Sequence, residues 1–588
     1  MKVKAGYVVD LDEWKERNKK GENYWWIYIE EILNHIGLIA ERIHTKDLIR
    51  GIKEYAVLFI GQTEKELPWR EIEKWVESGG ILIGVCLDRD SIFGNEFVKS
   101  ISDKGVFSIT GEIFLNKHFF TENIHSPIHK DKPLLVSGNI RLLQTLNSEV
   151  LAQCNGYPVI TCRRAGKGWF FYFGFDLTKT FWILNQGRPV EQDYDGDGYL
   201  RNADGILING YEPEILYTDE FLFLLQNMVS VSSIPLIHYL PSMKDGDIPD
   251  ALFYYGGDDE ATPGINIPAS EFMKEMGLPY HINIMPDENY KFAVNKKEKE
   301  ILEENGTEIS LHLNFMDNFS HPSGFSESDV AKQVKLFIDE FKKIPVCCNT
   351  HWLRWTGLYE PALWMGQRGI KSFNGKIQVT VPPINPINRL GFSFGTSFPF
   401  FYWTDYKYEN QKLDFLDLPI IAYECGYKYI DTANSSGWED MDWSYKYEVD
   451  FPVLEKCINI ATYYNLTMNF FYHPVYIARV SSCREIIKKI KEVGKEKELK
   501  IIHSTPDRLT EWWLARAKAR IDDIEIEKNK IVFNTYSDVA IIVKIPLHNR
   551  KVNKINFPFR IKKLFSQFWI FISVPKGENT IEVVLQNP

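Results

Sequence analysis

The chain has 588 residues, of which 44% are hydrophobic and 25% are charged, as in an ordinary globular protein. This length exceeds what one hydrophobic core serves, so roughly three or four domains are expected. The formal net charge of -11 argues against nucleic acid or an anionic membrane surface as a principal partner.

The eight cysteines show neither a C-x-x-C pair nor the spacing of a disulfide framework, so we expect reduced thiols. The chain enters a strand-like run at residue 3 without the basic and apolar regions of a signal peptide. No apolar segment approaches the roughly 20 residues that span a bilayer. We therefore expect a cytoplasmic protein, or a secreted one if a leader has been removed.

Residues 1–230 read as an α/β domain. Apolar runs at 3–9, 55–61 and 81–86 are separated by helical patterns at 25–36 and 70–77. This alternation predicts a parallel sheet with helices on both faces, of the flavodoxin-like kind.

Residues 84–88, Gly-Val-Cys-Leu-Asp, lie at a predicted strand-to-helix turn. Cys86 therefore occupies the position where such a domain would carry a nucleophile. The region resembles class I glutamine amidotransferase-like domains. In active members of that family, a histidine and an acid late in the domain activate the equivalent cysteine. The matching late strand, residues 166–176, has no histidine. A thiol without a base is a weak nucleophile, so we expect Cys86 to be structural. The domain is then expected to serve assembly, including formation of a homo-oligomer, or to shape a neighbouring site.

Residues 193–204 follow the spacing of a calcium-binding loop, with acids at positions one, three, five and twelve and glycine at six. The string resembles a dockerin-type loop, although only one copy is present. Arg201 replaces the usual polar ligand at position nine, and a solvated acidic loop is the alternative. The predicted calcium ligands are Asp193, Asp195, Asp197, the carbonyl of Tyr199, and Asp204.

The remaining chain divides by composition. Residues 231–249 are polar and broken by prolines, which predicts a linker. Strand and helix patterns alternate from 250 to 508 and predict a distorted (β/α) barrel, with a doubly wound sheet as the alternative. Residues 509–588 predict one helix followed by a small antiparallel β-sandwich.

Polar residues stand at the ends of the predicted central strands. Asp258 and Asp259 end the first strand, His312 the third, His351 the fourth and His473 the last. Because the carboxyl ends of barrel strands converge on one face, these side chains are expected to meet around one cation. Imidazole and carboxylate together suit zinc or another divalent transition metal.

This set resembles the polysaccharide deacetylases of carbohydrate esterase family four. Residues 256–260, Gly-Gly-Asp-Asp-Glu, are similar to the family's first motif, 305–312 to the opening of its second, and 472–474 to its late motif. The resemblance implies that Asp258 is the catalytic base, Asp259 a metal ligand and His473 the acid toward the leaving group.

The sequence departs from the family where its second metal-binding histidine is expected, because Met316 occupies that position. We therefore predict Asp259, His312 and His351 as the metal ligands, with His321 in reserve. Glu260, Trp352, Arg354 and Trp355 are the predicted substrate contacts.

The predicted function is metal-dependent deacetylation of an N- or O-acetylated carbohydrate. One alternative is a catalytically silent, deacetylase-like protein that binds carbohydrate or organises a complex. Another is a glycoside hydrolase, for which Glu424 would supply the paired carboxylate.

Overall fold

The computed structural model describes residues 3–586 except 64, 125–130, 209–210, 378–389 and 429–447. Within that part the chain forms a mixed α/β protein with several sheets. Among the described residues, we find no helix with the length and apolar character needed to cross a membrane.

The described residues of the first unit form eleven strands and six α-helices. The strands are β1 Lys4–Val9, β2 Ala40–His44, β3 Tyr55–Ile60, β4 Ile81–Val85, β5 Asn95–Ile101, β6 Gly111–Leu115, β7 Leu134–Val136, β8 Ile140–Thr145, β9 Glu149–Cys154, β10 Tyr157–Ala165 and β11 Gly168–Phe173. The helices are α1 Leu11–Lys19, α2 Ile29–Ile36, α3 Leu48–Gly51, α4 Trp69–Glu77, α5 Leu177–Gln186 and α6 Asp219–Val229.

The main sheet of this unit has the order β2-β1-β3-β4-β11-β10-β9-β6-β7. Strands β2, β1, β3, β4 and β11 pair in parallel, as the alternation of apolar runs predicts. The other half is antiparallel, which a flavodoxin-like sheet does not include. Cys86 follows β4 with φ of 52°, and burial raises the pKa of its thiol well above the usual range. The residue is partly exposed, and a thiol with a raised pKa is a weak nucleophile.

The central unit contains strands β12–β24 and helices α7–α14. The strands are β12 Leu236–Ile237, β13 Ala251–Asp258, β14 Tyr280–Ile284, β15 Thr307–Leu313, β16 Cys347–Thr350, β17 Ser372–Phe373, β18 Phe400–Trp403, β19 Lys412–Asp417, β20 Ala422–Tyr423, β21 Tyr427–Lys428, β22 Glu448–Val449, β23 Thr467–Phe471 and β24 Ile501–Ser504. The helices are α7 Asn266–Glu275, α8 Lys296–Glu304, α9 Glu327–Phe341, α10 Glu360–Gln367, α11 Phe451–Tyr464, α12 Pro474–Arg479, α13 Ser481–Glu496 and α14 Pro506–Ala517.

The central sheet runs in the order β18-β19-β17-β16-β15-β14-β13-β23-β20, with β24 also pairing β13. Of the strand pairs that the described residues form in this sheet, only β18–β19 is antiparallel. Among the described residues no pairing joins β20 to β18, so the two outer strands of this mainly parallel sheet do not pair with each other there. The carboxyl ends of β13, β15, β16 and β23 lie on one edge, where ligands of parallel sheets bind.

The C-terminal unit consists of strands in two four-stranded sheets. The strands are β25 Arg520–Ile526, β26 Lys530–Ser537, β27 Ile541–Pro546, β28 Lys551–Ile555, β29 Phe559–Leu564, β30 Gln567–Val574 and β31 Gly577–Gln586. One sheet is β25-β26-β31-β28 and the other is β12-β27-β30-β29.

The segment predicted as a linker is therefore part of the folded structure. Its strand β12 pairs antiparallel with β27, with Leu236 opposite Lys544. The prolines do limit regular structure there, but a two-residue strand gives no periodic signal in the sequence. A single hydrophobic cluster also runs from the first unit through the central one, from Val9 to Trp513.

Candidate functional site

The site begins at the double glycine that ends β13. A Cβ on Gly257 would lie 2.0 Å from the carbonyl oxygen of Tyr472, so only glycine allows β13 and the segment after β23 to approach this closely. Just beyond, Glu260 takes a left-handed backbone conformation with φ of 52°. Such a conformation costs a non-glycine residue on the order of 1 kcal/mol and is concentrated at functional sites.

The turn places Glu260 between three histidines from different strands. Its Oε2 lies 2.6 Å from His351 Nε2, and its Oε1 lies 3.5 Å from His312 Nε2 and 3.4 Å from His473 Nε2. The Glu260 side chain is only 7% exposed. Burial opposes its ionisation, but His351 and His312 hold the pKa of the carboxyl well below its usual range.

Asp258, the last residue of β13, is held by two amides. Oδ1 accepts a hydrogen bond from Asn283 Nδ2 at 2.8 Å, and Oδ2 accepts one from Asn349 Nδ2 at 2.9 Å. Its Oδ1 also lies 3.6 Å from His312 Nδ1. Each carboxylate oxygen has a second lone pair, so Asp258 is oriented by the amides while still able to bind another group.

His312 is buried, yet neither of its ring nitrogens makes a hydrogen bond to the described residues. A buried polar group without such a partner is costly in an interior and is frequently explained by an ion or a catalytic role. Its contacts with Asp258 and Glu260 are too long for strong hydrogen bonds. The Asp258 contact uses Nδ1 and the Glu260 contact uses Nε2, so His312 can offer one ring nitrogen to an ion while the other faces the remaining carboxylate.

His473 connects the cluster to a second glutamate. Its Nδ1 lies 2.9 Å from Oε1 of the fully buried Glu424, which follows β20 and has φ of 45°. Burial alone would lower the pKa of His473, but hydrogen bonds and charge from Glu260 and Glu424 raise it to about 10. Three carboxylates thus create a negative field that attracts a cation, whether a proton or a metal ion.

Asp258, Glu260 and His473 each offer a ligand atom, and these atoms lie within 4.8 Å of one another. His312 contacts both carboxylates, and the His312 and His351 ring centroids are 5.5 Å apart. The described part of the chain therefore contains a buried group of carboxylates and imidazoles with the composition of a metal site.

Asp259, predicted as a metal ligand, does not point into this group. Its Oδ1 accepts hydrogen bonds from the backbone of Ala261 at 3.1 Å and Met285 at 2.8 Å. Its Oδ2 accepts one from Asn266 Nδ2 at 3.1 Å. Burial raises the pKa of Asp259 to about 7 despite these donors. Glu260, predicted as a substrate contact, takes the central position instead because the left-handed turn rotates it inward.

Two predicted substrate contacts are packing residues. Arg354 is fully buried and donates from Nε to the carbonyl of Leu200 at 3.0 Å, while Nη2 donates to the carbonyl of Ser323. Trp355 is buried, and its ring stacks on Tyr402 with centroids 5.7 Å apart. Neither side chain is accessible to substrate, because earlier loops cover Arg354 and the later Phe373 and Tyr402 cover Trp355.

The reserve ligand His321 is also used elsewhere. Its Nδ1 accepts from Arg354 Nη1 at 2.5 Å, and this arginine also lies 3.8 Å from the Met316 sulfur. Trp352, by contrast, is 41% exposed and directly follows His351, with φ of 56°. His351 and Trp352 therefore mark the open side of the site.

The acidic loop 193–204 brings the carboxylates of Asp193, Asp195 and Asp197 within 4.8 Å of one another. Burial and the charges of Asp197 and Asp204 raise the pKa of Asp195 to about 6, the effect expected of crowded like charges. Asp204 accepts backbone hydrogen bonds from Tyr194 and Arg201 at 2.6 and 2.9 Å. Asp204 therefore also organises the loop backbone, and Asp197 pairs with Arg201.

This loop packs against the segment that carries His351. The carbonyl of Leu200 accepts from the backbone of Trp355 at 3.2 Å, and Val190 and Gly357 exchange backbone hydrogen bonds of 2.8 Å. The ring of Tyr199 lies 5.3 Å from that of Trp352. The first unit thus forms one wall beside the open side of the site.

We find that no family model and no curated protein matches the sequence. Among solved structures, the chain is similar to a beta-galactosidase from Bacillus circulans sp. alkalophilus, with a TM-score of 0.25 and 14% identity over 30% of this chain and 30% of that one. An exo-beta-1,4-mannosidase from Opitutaceae bacterium strain TAV5 gives a TM-score of 0.23 and 13% identity over 31% and 32% of the two chains. Puue allantoinase gives a TM-score of 0.29 and 8% identity over 45% of this chain and 90% of the allantoinase chain.

The chain thus spans about a third of the length of these glycosidases. At these TM-scores the likeness does not define the fold of the whole chain.

Sequence reasoning missed the two amides that hold Asp258 and the inward position of Glu260. Asn283 alternates with His281 along β14, and Asn349 stands near the end of β16. These asparagines could have been recognised as site residues because they are polar residues within otherwise apolar strands. The two-residue period of a strand places Asn283 on the same face as His281.

Proposed function

We propose that the protein is a metal-dependent hydrolase that removes acetyl groups from an N- or O-acetylated carbohydrate. The observation that supports this most directly is the buried group of Asp258, Glu260 and His473, with His312 beside it and without a hydrogen bond to the described residues. Carboxylate and imidazole donors fit a divalent transition metal such as zinc, whereas calcium and magnesium prefer oxygen alone.

Asp258, Glu260 and His473 would hold the metal, with His312 completing the set. A metal there would lower the pKa of a bound water and polarise a carbonyl oxygen. Asn283 and Asn349 fix the orientation of Asp258, as groups behind metal ligands commonly do. Glu424 does the same for His473.

His351 is the side chain placed to move a proton. It contacts Glu260 through Nε2 and is 16% exposed, more than any other member of the group. We propose that His351 accepts the proton of the attacking water and delivers it to the leaving nitrogen or oxygen. This assignment replaces Asp258 as base and His473 as acid, since both are buried and committed to other partners.

The acetylated carbohydrate follows from the likeness of residues 256–260 and 472–474 to the deacetylase motifs and from the exposed ring of Trp352. The geometry is less favourable to a glycoside hydrolase. Its two carboxylates should face each other across a sugar, whereas the His473 ring lies between Glu260 and Glu424. A catalytically silent binding protein would not need the buried, strained position of Glu260.

Metal analysis combined with acetate release tests this proposal. The purified protein is stripped with a chelator, reloaded with zinc, and assayed for acetate released from N-acetylglucosamine oligomers and from p-nitrophenyl acetate. We expect about one transition metal per chain, loss of activity on stripping, and recovery on reloading.

The variant His351→Ala should retain the metal and lose hydrolysis, whereas Glu260→Gln should lose both. A parent protein that binds no transition metal would exclude the metal-dependent hydrolase. A metal-loaded protein that releases no acetate would leave the silent binding protein as the better interpretation.

We also propose that the loop 193–204 binds calcium through Asp193, Asp195, Asp197, the Tyr199 carbonyl and Asp204. The crowding that raises the pKa of Asp195 supports this, because a cation would relieve it. Its role would be structural, holding Tyr199 and Leu200 against the His351 segment.

At the level of units, we propose a silent amidotransferase-like first unit that serves assembly, including a homo-oligomer. The central unit would be a deacetylase-type barrel whose outer strands remain unjoined, followed by a C-terminal β-sandwich. Acetate release from a chain that lacks residues 519–588 would show whether the last unit is needed for activity or for stability.

A further inference from the structure

A second polar group lies beneath the candidate metal site, inside the amino-terminal half of the central sheet. His281 is fully buried on β14, and its Nδ1 lies 3.4 Å from Asp507 Oδ1 and 3.8 Å from Glu308 Oε2. Its Nε2 lies 2.9 Å from Asn283 Oδ1. Asn283 in turn donates to Asp258 at 2.8 Å. A continuous polar chain therefore joins Asp507 to the metal site.

The donors and acceptors in this series of hydrogen bonds follow from the chemistry of Asp258 at one end and of Asp507 and Glu308 at the other. Asp258 is a carboxylate acceptor, so the Asn283 amide must present its NH2 group to it. The amide oxygen then faces His281, and Nε2 of that ring must carry a proton and donate. Reversing the amide would set Asn283 Oδ1 against Asp258 Oδ1, and two acceptors repel.

The other side of the His281 ring favours the same arrangement. The charges of Asp507 and Glu308, 3.4 and 3.8 Å from Nδ1, favour the imidazolium form of the ring, in which Nε2 keeps its proton and donates. Burial lowers the pKa of His281, but the charges of Asp507 and Glu308 outweigh it and raise the pKa above its ordinary value.

A metal ion in this lower group is less favourable than an imidazolium. Arg508 Nε lies 3.0 Å from Glu308 Oε1, and the Lys343 ammonium interacts electrostatically with both carboxylates. Asp507 Oδ1 also accepts the backbone N–H of Cys347 at 3.1 Å. Three basic side chains already compensate two acids, so a dication would add excess positive charge.

We infer that His281 is a positioning residue: by donating to Asn283 it fixes the amide that orients Asp258 for metal binding. This inference rests on the proposed function for its consequence, because Asp258 is there a metal ligand. Mutation of groups behind a metal ligand typically lowers metal affinity about 10- to 100-fold.

The test compares zinc affinity, by isothermal titration calorimetry, among the parent and His281→Gln, His281→Leu and Asn283→Leu. Glutamine can place an N–H donor near the position of Nε2, whereas leucine cannot. We expect His281→Gln to keep most of the affinity, and His281→Leu and Asn283→Leu to lose about 10- to 100-fold. Thermal unfolding identifies any variant that fails to fold.

Equal losses in His281→Gln and His281→Leu would contradict positioning through the Nε2 donor, as would full affinity in Asn283→Leu. A parent that binds no zinc would instead remove the proposed function. In that case the imidazole signals of 15N-histidine-labelled protein, assigned with His281→Gln, still decide the inference. A proton on Nε2 of His281 is expected, and an unprotonated Nε2 would overturn it.

Discussion

Glu260 Oε2 and His351 Nε2 lie 2.6 Å apart, although Glu260 follows β13 and His351 follows β16, three strands later in the chain. The contact depends on the left-handed backbone of Glu260, which turns the third acid of the Asp-Asp-Glu run inward. The metal would therefore depend on Glu260 rather than on its neighbour Asp259.

Glu260→Gln is expected to lower zinc affinity at least about 10- to 100-fold, because it removes a charged ligand without changing the side-chain size. Isothermal titration calorimetry on the stripped protein measures this. Asp259→Asn is the matched control. It should leave affinity near that of the parent and cost about 1–3 kcal/mol of stability, since Asp259 accepts three hydrogen bonds in the loop.

The opposite pattern, with affinity lost in Asp259→Asn and kept in Glu260→Gln, would restore the ligand set predicted from the sequence. Thermal unfolding of both variants shows whether a loss of affinity reflects a loss of folded protein.

The sequence predicts that polar residues at the ends of parallel strands gather on one edge of the sheet. Asp258, His312 and His473 were identified in this way, and the structure brings them together. Which of the adjacent acids points inward could not be predicted, because that depends on the sign of φ at Glu260. The role of Arg354 was also beyond prediction, since its partner Leu200 belongs to a distant loop.

The same limit applies to the fold. Apolar runs gave the parallel strands of the first unit, because buried strands are continuous and apolar. The antiparallel half of that sheet and the two-residue strand β12 carry no period that a sequence window detects. Closure of a sheet into a barrel depends on pairing between strands that are distant in the chain. The sequence pattern of the central unit therefore could not distinguish a barrel from an open sheet.

Calcium is expected to raise the melting temperature of the parent relative to protein in excess chelator, because it binds only the folded loop. Asp195→Asn should abolish most of this shift, since it removes one of three crowded carboxylates. Differential scanning calorimetry measures both. Asp287→Asn is the control, because Asp287 also accepts backbone hydrogen bonds within its own turn, from Asn289 and Lys291. A calcium shift that survives in Asp195→Asn would argue against binding at this loop.

Trp352 and Trp355 should respond differently to removal. Trp355→Ala is expected to cost about 3–5 kcal/mol, because the ring is buried against Tyr402 and Phe373. Trp352→Ala should change stability by less than about 0.5 kcal/mol, as most exposed positions do. Urea denaturation measures these differences.

In acetate-release assays Trp352→Ala should raise KM while leaving the metal bound, because Trp352 lies at the open side beside His351. An unchanged KM would show that this ring does not contact the substrate.

Asp219 should make folding stability fall as the pH rises. It is fully buried on α6, its Oδ2 accepts the backbone N–H of Ser397 at 2.9 Å, and burial raises its pKa to about 8. The unfolded aspartate releases its proton near a pKa of about 3.9. Between these values the folded state binds more protons than the unfolded state, so stability decreases with increasing pH.

The comparison of the parent with Asp219→Asn isolates this effect, because asparagine keeps the shape and does not titrate. Between pH 5 and 7 the stability of the parent relative to the variant should fall by about 1.4 kcal/mol per pH unit, the value for one proton. Urea denaturation at pH 5, 6 and 7 gives this difference. A difference that is constant across these pH values would show that Asp219 is ionised in the folded protein, with hydrogen bonds from Thr396 and Ser397 stabilising the carboxylate.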